Sequence, residues 1–233
     1  MATEARSDVE VAEWPDFVDE FTGAHEPGEH VAIVGPTGQG KTTLALALLD
    51  ESFDRQPHRV ILATKPRDDA LKQLRWPIIR RWPPDYGKDR VILWPEYTPE
   101  KGIANQRKTF GPALTQIFRD GARVVYFDEA WWFAEKLRMG DRLDEFLVQG
   151  RSMNLSVVCG TQRPVNVPRT VFSEPSWVFF FRSRDVDELR RVGEIGGSVD
   201  TATIREEIQR LDRYEFLCVR KTTGEMVKSK VEI

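Results

Sequence analysis

The chain has 233 residues, a size that fits one domain with a full hydrophobic core. Hydrophobic residues make up 40% and charged residues 30%, and no apolar run reaches the roughly 20 residues that a membrane-spanning helix needs, so no membrane insertion is predicted. The formal net charge of -3 argues against a protein that coats nucleic acid with its whole surface, whereas a local basic stripe is compatible with it.

Residues 1–27 are acidic, with a few aromatic side chains, and predict either a loose tail or an arm that packs on a neighbour. Residues 28–233 are predicted to form a single domain. The first 13 residues resemble neither a secretory signal nor a transit peptide, so a cytoplasmic location is expected, that of the host if the protein is viral. The spacing of the three histidines suggests neither a metal site nor a charge relay.

Short apolar strands alternate with helical segments along the chain, a pattern typical of an α/β fold with a largely parallel sheet. Strands are predicted at residues 30–35, 59–65, 90–95, 123–128, 155–161 and 177–182. Helices are predicted at residues 43–51, 103–119, 141–149, 186–192 and 201–211. Residues 214–233 predict a C-terminal β-hairpin that turns at residues 222–225.

The first predicted strand runs into a glycine-rich loop that fits the pattern Gly, four residues, Gly-Lys-Ser/Thr. Such a loop turns its backbone N–H groups toward phosphates, and the following helix adds its positive end. Lys41 is expected to reach the β- and γ-phosphates, and the Thr42 hydroxyl to ligate Mg²⁺. ATP and Mg²⁺ are therefore the predicted cofactors. The predicted nucleotide-binding residues are Gly35, Pro36, Thr37, Gly38, Gln39, Gly40, Lys41, Thr42 and Thr43.

The predicted strand at residues 123–128 ends in two carboxylates. Beside a phosphate loop, Asp128 is expected to hold Mg²⁺ and Glu129 to orient or deprotonate the attacking water. Alone, the pair would also suit an acidic helix N-cap. Gln162 follows the next strand at its carboxyl end, where ligands bind in open α/β sheets, and is expected to contact the γ-phosphate or its water. A glutamine in this position is also a common turn residue.

A Pro-rich stretch at residues 76–87 predicts a long surface excursion within the densest basic part of the chain. Basic side chains there would follow a DNA phosphate backbone without reading bases, although an ordinary solvated surface explains them equally well. A second basic cluster comprises Lys101, Arg107 and Lys108. The candidate DNA contacts are Arg75, Arg80, Arg81 and Lys88, from a stretch that also includes Lys65, Arg67, Lys72 and Arg90.

Trp131, Trp132 and Phe133 form an apolar cluster close behind Glu129. Such a cluster would be costly to leave in water, so it predicts core or a subunit interface, with core favoured.

The order and spacing of these motifs resemble the FtsK/HerA superfamily of DNA-translocating ATPases over about residues 30 to 195. The residues that carry the resemblance are the phosphate loop, the strand ending in Asp128-Glu129, Gly150-Arg151-Ser152, Thr161-Gln162-Arg163-Pro164 and Phe179-Phe180-Phe181-Arg182-Ser183. The resemblance implies a P-loop NTPase fold of the RecA/ASCE type, with a largely parallel central sheet flanked by helices.

The resemblance also implies a homo-oligomeric ring, expected to be hexameric, in which each nucleotide lies between two subunits. An arginine then reaches each nucleotide from the neighbouring subunit, and Arg151 matches the position where members of this family often carry it. Arg163, Arg182 and Arg184 are the other candidates. As an alternative, Arg151 merely caps the preceding helix.

The implied function is an ATP-hydrolysing motor that translocates double-stranded DNA. The chain matches only the motor domain of the larger family members, which favours viral genome packaging, with a capsid portal or membrane vertex complex as a further partner. One alternative is a related ATPase that drives conjugative DNA transfer or phage assembly and export. Another is a nucleotide-dependent switch with little turnover.

Overall fold

The computed structural model describes residues 9–83, 89–162, 166–195 and 199–231. Its strands are β1 (Glu10–Val11), β2 (Val31–Val34), β3 (Arg59–Leu62), β4 (Ile78–Ile79), β5 (Arg90–Leu93), β6 (Val124–Phe127), β7 (Ser156–Thr161), β8 (Trp177–Phe181), β9 (Glu215–Arg220) and β10 (Glu225–Lys230). Its helices are α1 (Trp14–Ala24), α2 (Lys41–Glu51), α3 (Asp69–Gln73), α4 (Gly102–Asp120), α5 (Gly140–Gln149), α6 (Thr170–Ser173), α7 (Val186–Arg191) and α8 (Thr201–Arg210). Short helical turns lie at Trp132–Lys136, Gly150–Met153 and Val192–Glu194.

The ten strands form one sheet in the order β1-β10-β9-β8-β2-β7-β6-β3-β5-β4. Among the described strands, only β9 runs opposite to the others. The strand that leads into the phosphate loop, β2, lies between β8 and β7, and β6 follows β7. The carboxyl ends of these four parallel strands therefore meet at one edge of the sheet. This arrangement confirms the predicted fold class, including the C-terminal antiparallel pair.

Both faces of the sheet are covered, which explains why its central strands are apolar throughout. One face packs against α4, α5 and α8, and the other packs against α1 and α2. Successive residues of β2 alternate between the faces: Ala32 and Val34 belong to the first core, and Val31 and Ile33 to the second. None of the helices within the described ranges is long and apolar enough to cross a bilayer.

The N-terminal segment differs from the predicted arm or tail. From residue 9 onward it packs on its own domain, because β1 pairs with β10 and α1 buries three aromatic side chains. The Phe17 ring lies 5.0 Å from that of Phe216, and the Phe21 ring lies 4.9 Å from that of Trp177. The apolar face of α1 is therefore part of the hydrophobic core.

The Pro-rich stretch also differs in part from the predicted surface excursion. Trp76 is buried, and Ile78 and Ile79 pair with β5 as the edge strand β4. Residues 84–88, which include the candidate DNA contact Lys88, lie outside the described residues.

The helix after the phosphate loop begins at Lys41, two residues earlier than predicted.

Candidate active site

The phosphate loop connects the carboxyl end of β2 to the N-terminus of α2. Gly40 precedes α2 with a φ of 111°, in the left-handed region that favours glycine. Gly35 has a φ of 153°, and a Cβ added there would lie 2.7 Å from the Cβ of Phe181 on β8. Glycine at residue 35 therefore lets the loop lie close against the neighbouring strand.

The Lys41 side chain is folded back over this loop. Its Nζ donates to the carbonyl oxygen of Pro36 at 2.6 Å. Burial lowers the pKa of Lys41 to about 8, although the nearby Glu129 carboxylate opposes the shift. An anion held by the loop would supply opposite charge to this buried ammonium, as the predicted contact with phosphate oxygens requires.

Asp128 lies directly after β6 and its side chain is fully buried. The Tyr126 hydroxyl lies 3.4 Å from its Oδ1, and the Thr64 hydroxyl lies 3.5 Å from its Oδ2. Burial raises the pKa of Asp128, and the ammonium of Lys65, 3.3 Å from Oδ1, counteracts the rise. The two hydroxyl contacts are long, and the buried carboxylate is therefore suited to a cation.

Glu129 is held by the end of β7. Its carboxylate accepts hydrogen bonds from the Thr161 hydroxyl at 3.1 Å and from the Gln162 backbone N–H at 3.3 Å. Burial raises the pKa of Glu129, and the hydrogen bond from Gln162 opposes that rise. A carboxylate in this setting is positioned to accept a proton.

Gln162 joins the phosphate loop to the acidic pair. Its side-chain oxygen accepts a hydrogen bond from the Thr37 hydroxyl at 2.7 Å, while its backbone N–H bonds Glu129. Three motifs that are far apart in the sequence are thus connected by direct contacts at one edge of the sheet.

The two predicted magnesium ligands face one point. Lys65 Nζ lies 3.4 Å from the Thr42 hydroxyl oxygen and 3.3 Å from Asp128 Oδ1, so these two oxygens converge on the same ammonium. Within the described ranges, no group of three or more His, Cys, Asp or Glu side chains forms a metal site. Mg²⁺ beside a nucleotide needs only one or two protein oxygens, because phosphates and water complete its shell. Thr42 and Asp128 therefore fit the ion.

Sequence reasoning missed Lys65 as a site residue and grouped it with the basic stretch. Its Nζ also lies 2.8 Å from Asp68 Oδ2, and its backbone oxygen accepts from the Trp94 indole at 2.7 Å. The only signal in the sequence was its position at the carboxyl end of a predicted strand. Every such position in a parallel sheet is a candidate, so the signal alone selects none.

An aromatic cleft of about 250 Å³ opens beside Glu129. Trp131 and Trp132 are half-buried and line it, whereas Phe133 is fully buried against Phe110 and Phe127. The predicted core location therefore holds for Phe133, while the two tryptophans form the wall of the cleft. The remaining lining residues are Thr64, Lys65, Pro66, Tyr97 and Gln162.

Arg151 lies at the opposite edge of the sheet from the phosphate loop. It belongs to the turn before β7 and is next to Gly28, where an added Cβ would lie 3.2 Å from Arg151 Cγ. Four residues of β2 separate the two edges, a span of about 13 Å. Arg151 is therefore placed away from its own nucleotide loop. Arg182 and Arg184 follow β8 at the same edge as the loop, and Arg163 lies outside the described residues.

Two predicted basic clusters meet in one groove. Arg80 and Arg81 follow β4 and line this groove, which has a volume of about 600 Å³, together with Lys108 of α4. Arg80 Nη1 is anchored by the Trp94 carbonyl oxygen at 2.7 Å. Arg75 is exposed and does not line this groove.

Arg107, from the second cluster, instead donates to the carbonyl oxygens of Leu137 and Lys136 at 2.8 and 3.0 Å. Its guanidinium is therefore bound to its own domain.

Several solved structures share this fold. The genome packaging NTPase B204 of Sulfolobus turreted icosahedral virus 2, in complex with AMPPCP, has a TM-score of 0.65 and 17% identity, covering 90% of this chain and all of that one. The conjugation coupling protein TcpA of pCW3, with ATPγS, has a TM-score of 0.52 and 15% identity over 86% of this chain and 59% of its own. The cytoplasmic domain of the Type VII secretion ATPase EccC of Thermomonospora curvata has a TM-score of 0.60 and 14% identity over 88% of this chain and 25% of its own.

At the level of sequence, no curated protein matches the chain significantly. A family model described as AAA domain matches residues 25–162, which include the phosphate loop, the acidic pair and Gln162. The match and the structural neighbours confirm the P-loop ATPase resemblance found in the sequence. The chain therefore belongs to the AAA domain family.

Proposed function

We propose that this protein is an ATP-hydrolysing motor that translocates double-stranded DNA, with viral genome packaging as the process it serves. The observation that supports hydrolysis is the connected set of Thr37, Gln162 and Glu129, which joins the phosphate loop to a partly buried carboxylate. A site that only binds nucleotide has no need of a carboxylate held in this way.

The chemical roles follow from these positions. The loop N–H groups and the Lys41 ammonium bind the triphosphate and stabilise the charge that develops on the γ-phosphoryl group. Glu129, held by Thr161 and Gln162, orients a water molecule and accepts its proton as the water oxygen attacks phosphorus and the bond to the leaving oxygen breaks. When bound by Thr42 and Asp128, Mg²⁺ would neutralise charge on the phosphate oxygens.

DNA translocation is supported by the groove that contains Arg80, Arg81 and Lys108. Cations in such a groove attract phosphates of any sequence, as a motor requires. Packaging is the preferred process because 90% of this chain matches the viral packaging NTPase over its whole length, with a TM-score of 0.65. A capsid portal or membrane vertex complex is the further partner that packaging requires.

The test compares ATPase rates with and without linear duplex DNA, alongside the native mass of the protein. We expect DNA to raise the rate and the mass to correspond to a ring. The double variant Arg80→Ala/Arg81→Ala should bind DNA more weakly. If it loses two phosphate contacts, the slope of log K against log salt should become shallower by about 1.8.

The matched control is Arg55→Ala/Arg210→Ala, which removes the same charge from two exposed arginines elsewhere on the surface. It should keep the wild-type slope. A wild-type protein that hydrolyses ATP but neither binds duplex DNA nor responds to it would favour the export motor. Negligible hydrolysis under all conditions would favour the nucleotide-dependent switch.

A further inference from the structure

The ammonium of Lys65 makes three polar contacts with side-chain oxygens. Nζ lies 2.8 Å from Asp68 Oδ2, 3.3 Å from Asp128 Oδ1 and 3.4 Å from the Thr42 hydroxyl oxygen. These oxygens come from the residue that caps α3, the end of β6 and the start of α2. Lys65 thus connects the predicted metal ligands to a second aspartate.

Two buried carboxylates explain the position of the Lys65 ammonium. The side chains of Asp128 and Asp68 are 0% and 10% exposed, and two carboxylates this deeply buried require a counter-charge. Asp68 Oδ1 also accepts from the N–H groups of Ala70 and Leu71, so Asp68 is fixed at the start of α3. Lys65 supplies the positive charge between the two carboxylates.

A metal ion held by Thr42 and Asp128 would need the same oxygens. Mg²⁺ binds oxygen at about 2.1 Å, and a dication and an ammonium sharing these ligands would repel each other strongly. The two cations therefore exclude one another. The Lys65 side chain is 32% exposed and lines the cleft beside Glu129, so it has space into which to move.

The source of the incoming metal decides how easily this exchange occurs. A bare divalent cation takes the Asp128 and Thr42 oxygens from the ammonium, which then keeps only Asp68 as an anionic partner. A metal–nucleotide complex brings negatively charged phosphates that attract the displaced ammonium. Exchange with the complex is therefore favoured over exchange with the bare ion.

We propose that Lys65 is an exchangeable counter-ion of the metal site, which holds Asp128 and Thr42 in place and excludes divalent cations that arrive without nucleotide. This role rests on the proposed function, because it takes Thr42 and Asp128 as the metal ligands. It makes Lys65 a positioning residue that disfavours binding of the metal before the nucleotide.

The experiment measures Mn²⁺ binding to the nucleotide-free full-length protein, with free Mn²⁺ followed by electron paramagnetic resonance. We expect Lys65→Met to bind one Mn²⁺ at least about tenfold more tightly than wild type, because the competing ammonium is gone. Adding Asp128→Asn to this variant should abolish the gain. Lys72→Met is the matched control, since Lys72 pairs with Asp69 at 2.9 Å on the exposed side of α3.

A thermal measurement gives an independent readout. In chelator, Lys65→Met should melt at a lower temperature than wild type, because Asp128 loses its counter-charge, and added Mn²⁺ should restore the melting temperature. Lys72→Met should show neither effect. If Lys65→Met does not fold, Lys65→Gln keeps a hydrogen-bond donor without the charge and should also bind Mn²⁺ more tightly than wild type.

Two results would contradict different parts of the proposal. Equal Mn²⁺ affinity in wild type and in a folded Lys65 variant, with wild-type binding of Mn²⁺–ATP intact, overturns the counter-ion role alone. If Asp128→Asn leaves Mn²⁺–ATP binding at the wild-type level, the metal site itself is wrong, and the counter-ion role falls with it.

Discussion

At the scale of single residues, the surroundings of Glu129 fix what its carboxylate does. Two donors at the end of β7 hold it, at 3.1 Å from Thr161 and 3.3 Å from Gln162. Gln162 in turn contacts the phosphate loop through Thr37. A change in the loop conformation can therefore reach the Glu129 carboxylate through Gln162.

Replacing Glu129 with glutamine tests its role as a proton acceptor. The amide keeps the size and one acceptor oxygen of the side chain but cannot take a proton from water. We expect Glu129→Gln to lower turnover about 100-fold or more while ATP binding stays within a few-fold of wild type. Steady-state ATPase rates and titration with a fluorescent ATP analogue measure the two quantities.

The matched control for this substitution is Glu135→Gln. Glu135 is exposed and pairs with Arg138 at 3.8 Å, so its loss should leave turnover unchanged. Undiminished turnover in Glu129→Gln would remove this carboxylate from the mechanism.

At the scale of elements, His30, just before β2, hydrogen-bonds both strand β7 and helix α5. Its Nδ1 accepts from the Val157 N–H on β7 at 3.1 Å, and its Nε2 donates to the Leu147 carbonyl oxygen of α5 at 3.0 Å. Only a neutral ring makes both bonds, because the first needs an unprotonated nitrogen. Burial lowers the pKa of His30 to about 4, the Leu147 bond opposes the shift, and the Arg151 cation adds to it.

The lowered pKa predicts a loss of stability in mild acid. The unfolded chain binds the proton near pH 6.5, whereas the folded protein resists it down to about pH 4. The stabilising effect is thus complete above pH 6.5 and is lost as the pH falls from 6.5 to about 4. From pH 7 to pH 5 the free energy of unfolding should fall by roughly 2 kcal/mol through this residue.

Urea unfolding at pH 7 and pH 5 measures this effect. In His30→Gln the fall across that interval should be smaller by about the same 2 kcal/mol, even though the variant is less stable at pH 7. His58→Gln serves as the control, because His58 is half exposed beside Asp89. The same fall in wild type and His30→Gln would show that His30 does not titrate in this way.

At the scale of the whole molecule, the candidate active site and Arg151 lie at opposite edges of the sheet. The roughly 13 Å between them prevents Arg151 from serving its own phosphate loop. A head-to-tail ring in which these two edges meet would bring Arg151 of one subunit toward the loop of the next. Arg151 is therefore placed where it can contact a neighbouring subunit's nucleotide but not the nucleotide of its own subunit.

Mixing two inactive variants tests this arrangement. Arg151→Ala should lower turnover about 1,000-fold, because the phosphoryl group loses a cation in its transition state. Combined with Glu129→Gln subunits, it should recover part of the activity, since some interfaces then join an intact Glu129 to an intact Arg151. The ATPase rate across mixing ratios is the measurement, and Arg55→Ala is the control arginine.

Native mass must show that the mixed rings assemble. No recovery in assembled mixed rings would contradict Arg151 as the residue that acts across subunits, and Arg182 or Arg184 would be tested next.

Local patterns in the sequence determined the strands other than β1 and β4, the phosphate loop and the acidic pair. Each depends on neighbouring residues: an apolar run defines β6, glycines at residues 35 and 40 provide the turn, and Asp128 and Glu129 follow directly. These patterns can be recognised without knowledge of the fold, because each reflects backbone geometry and burial within a few neighbouring residues. They were sufficient for the fold class and for the candidate hydrolysis site.

Only the tertiary structure decided what depends on contacts between distant segments. The strand order brings Gln162 between Thr37 and Glu129, turns Lys65 toward Asp128, and sends Arg151 to the far edge. The same long-range packing draws α1 into the core in place of a free arm, because its aromatic face meets Phe216 and Trp177. Such contacts are set by the pairing of strands and by side-chain packing, which no short stretch of sequence specifies.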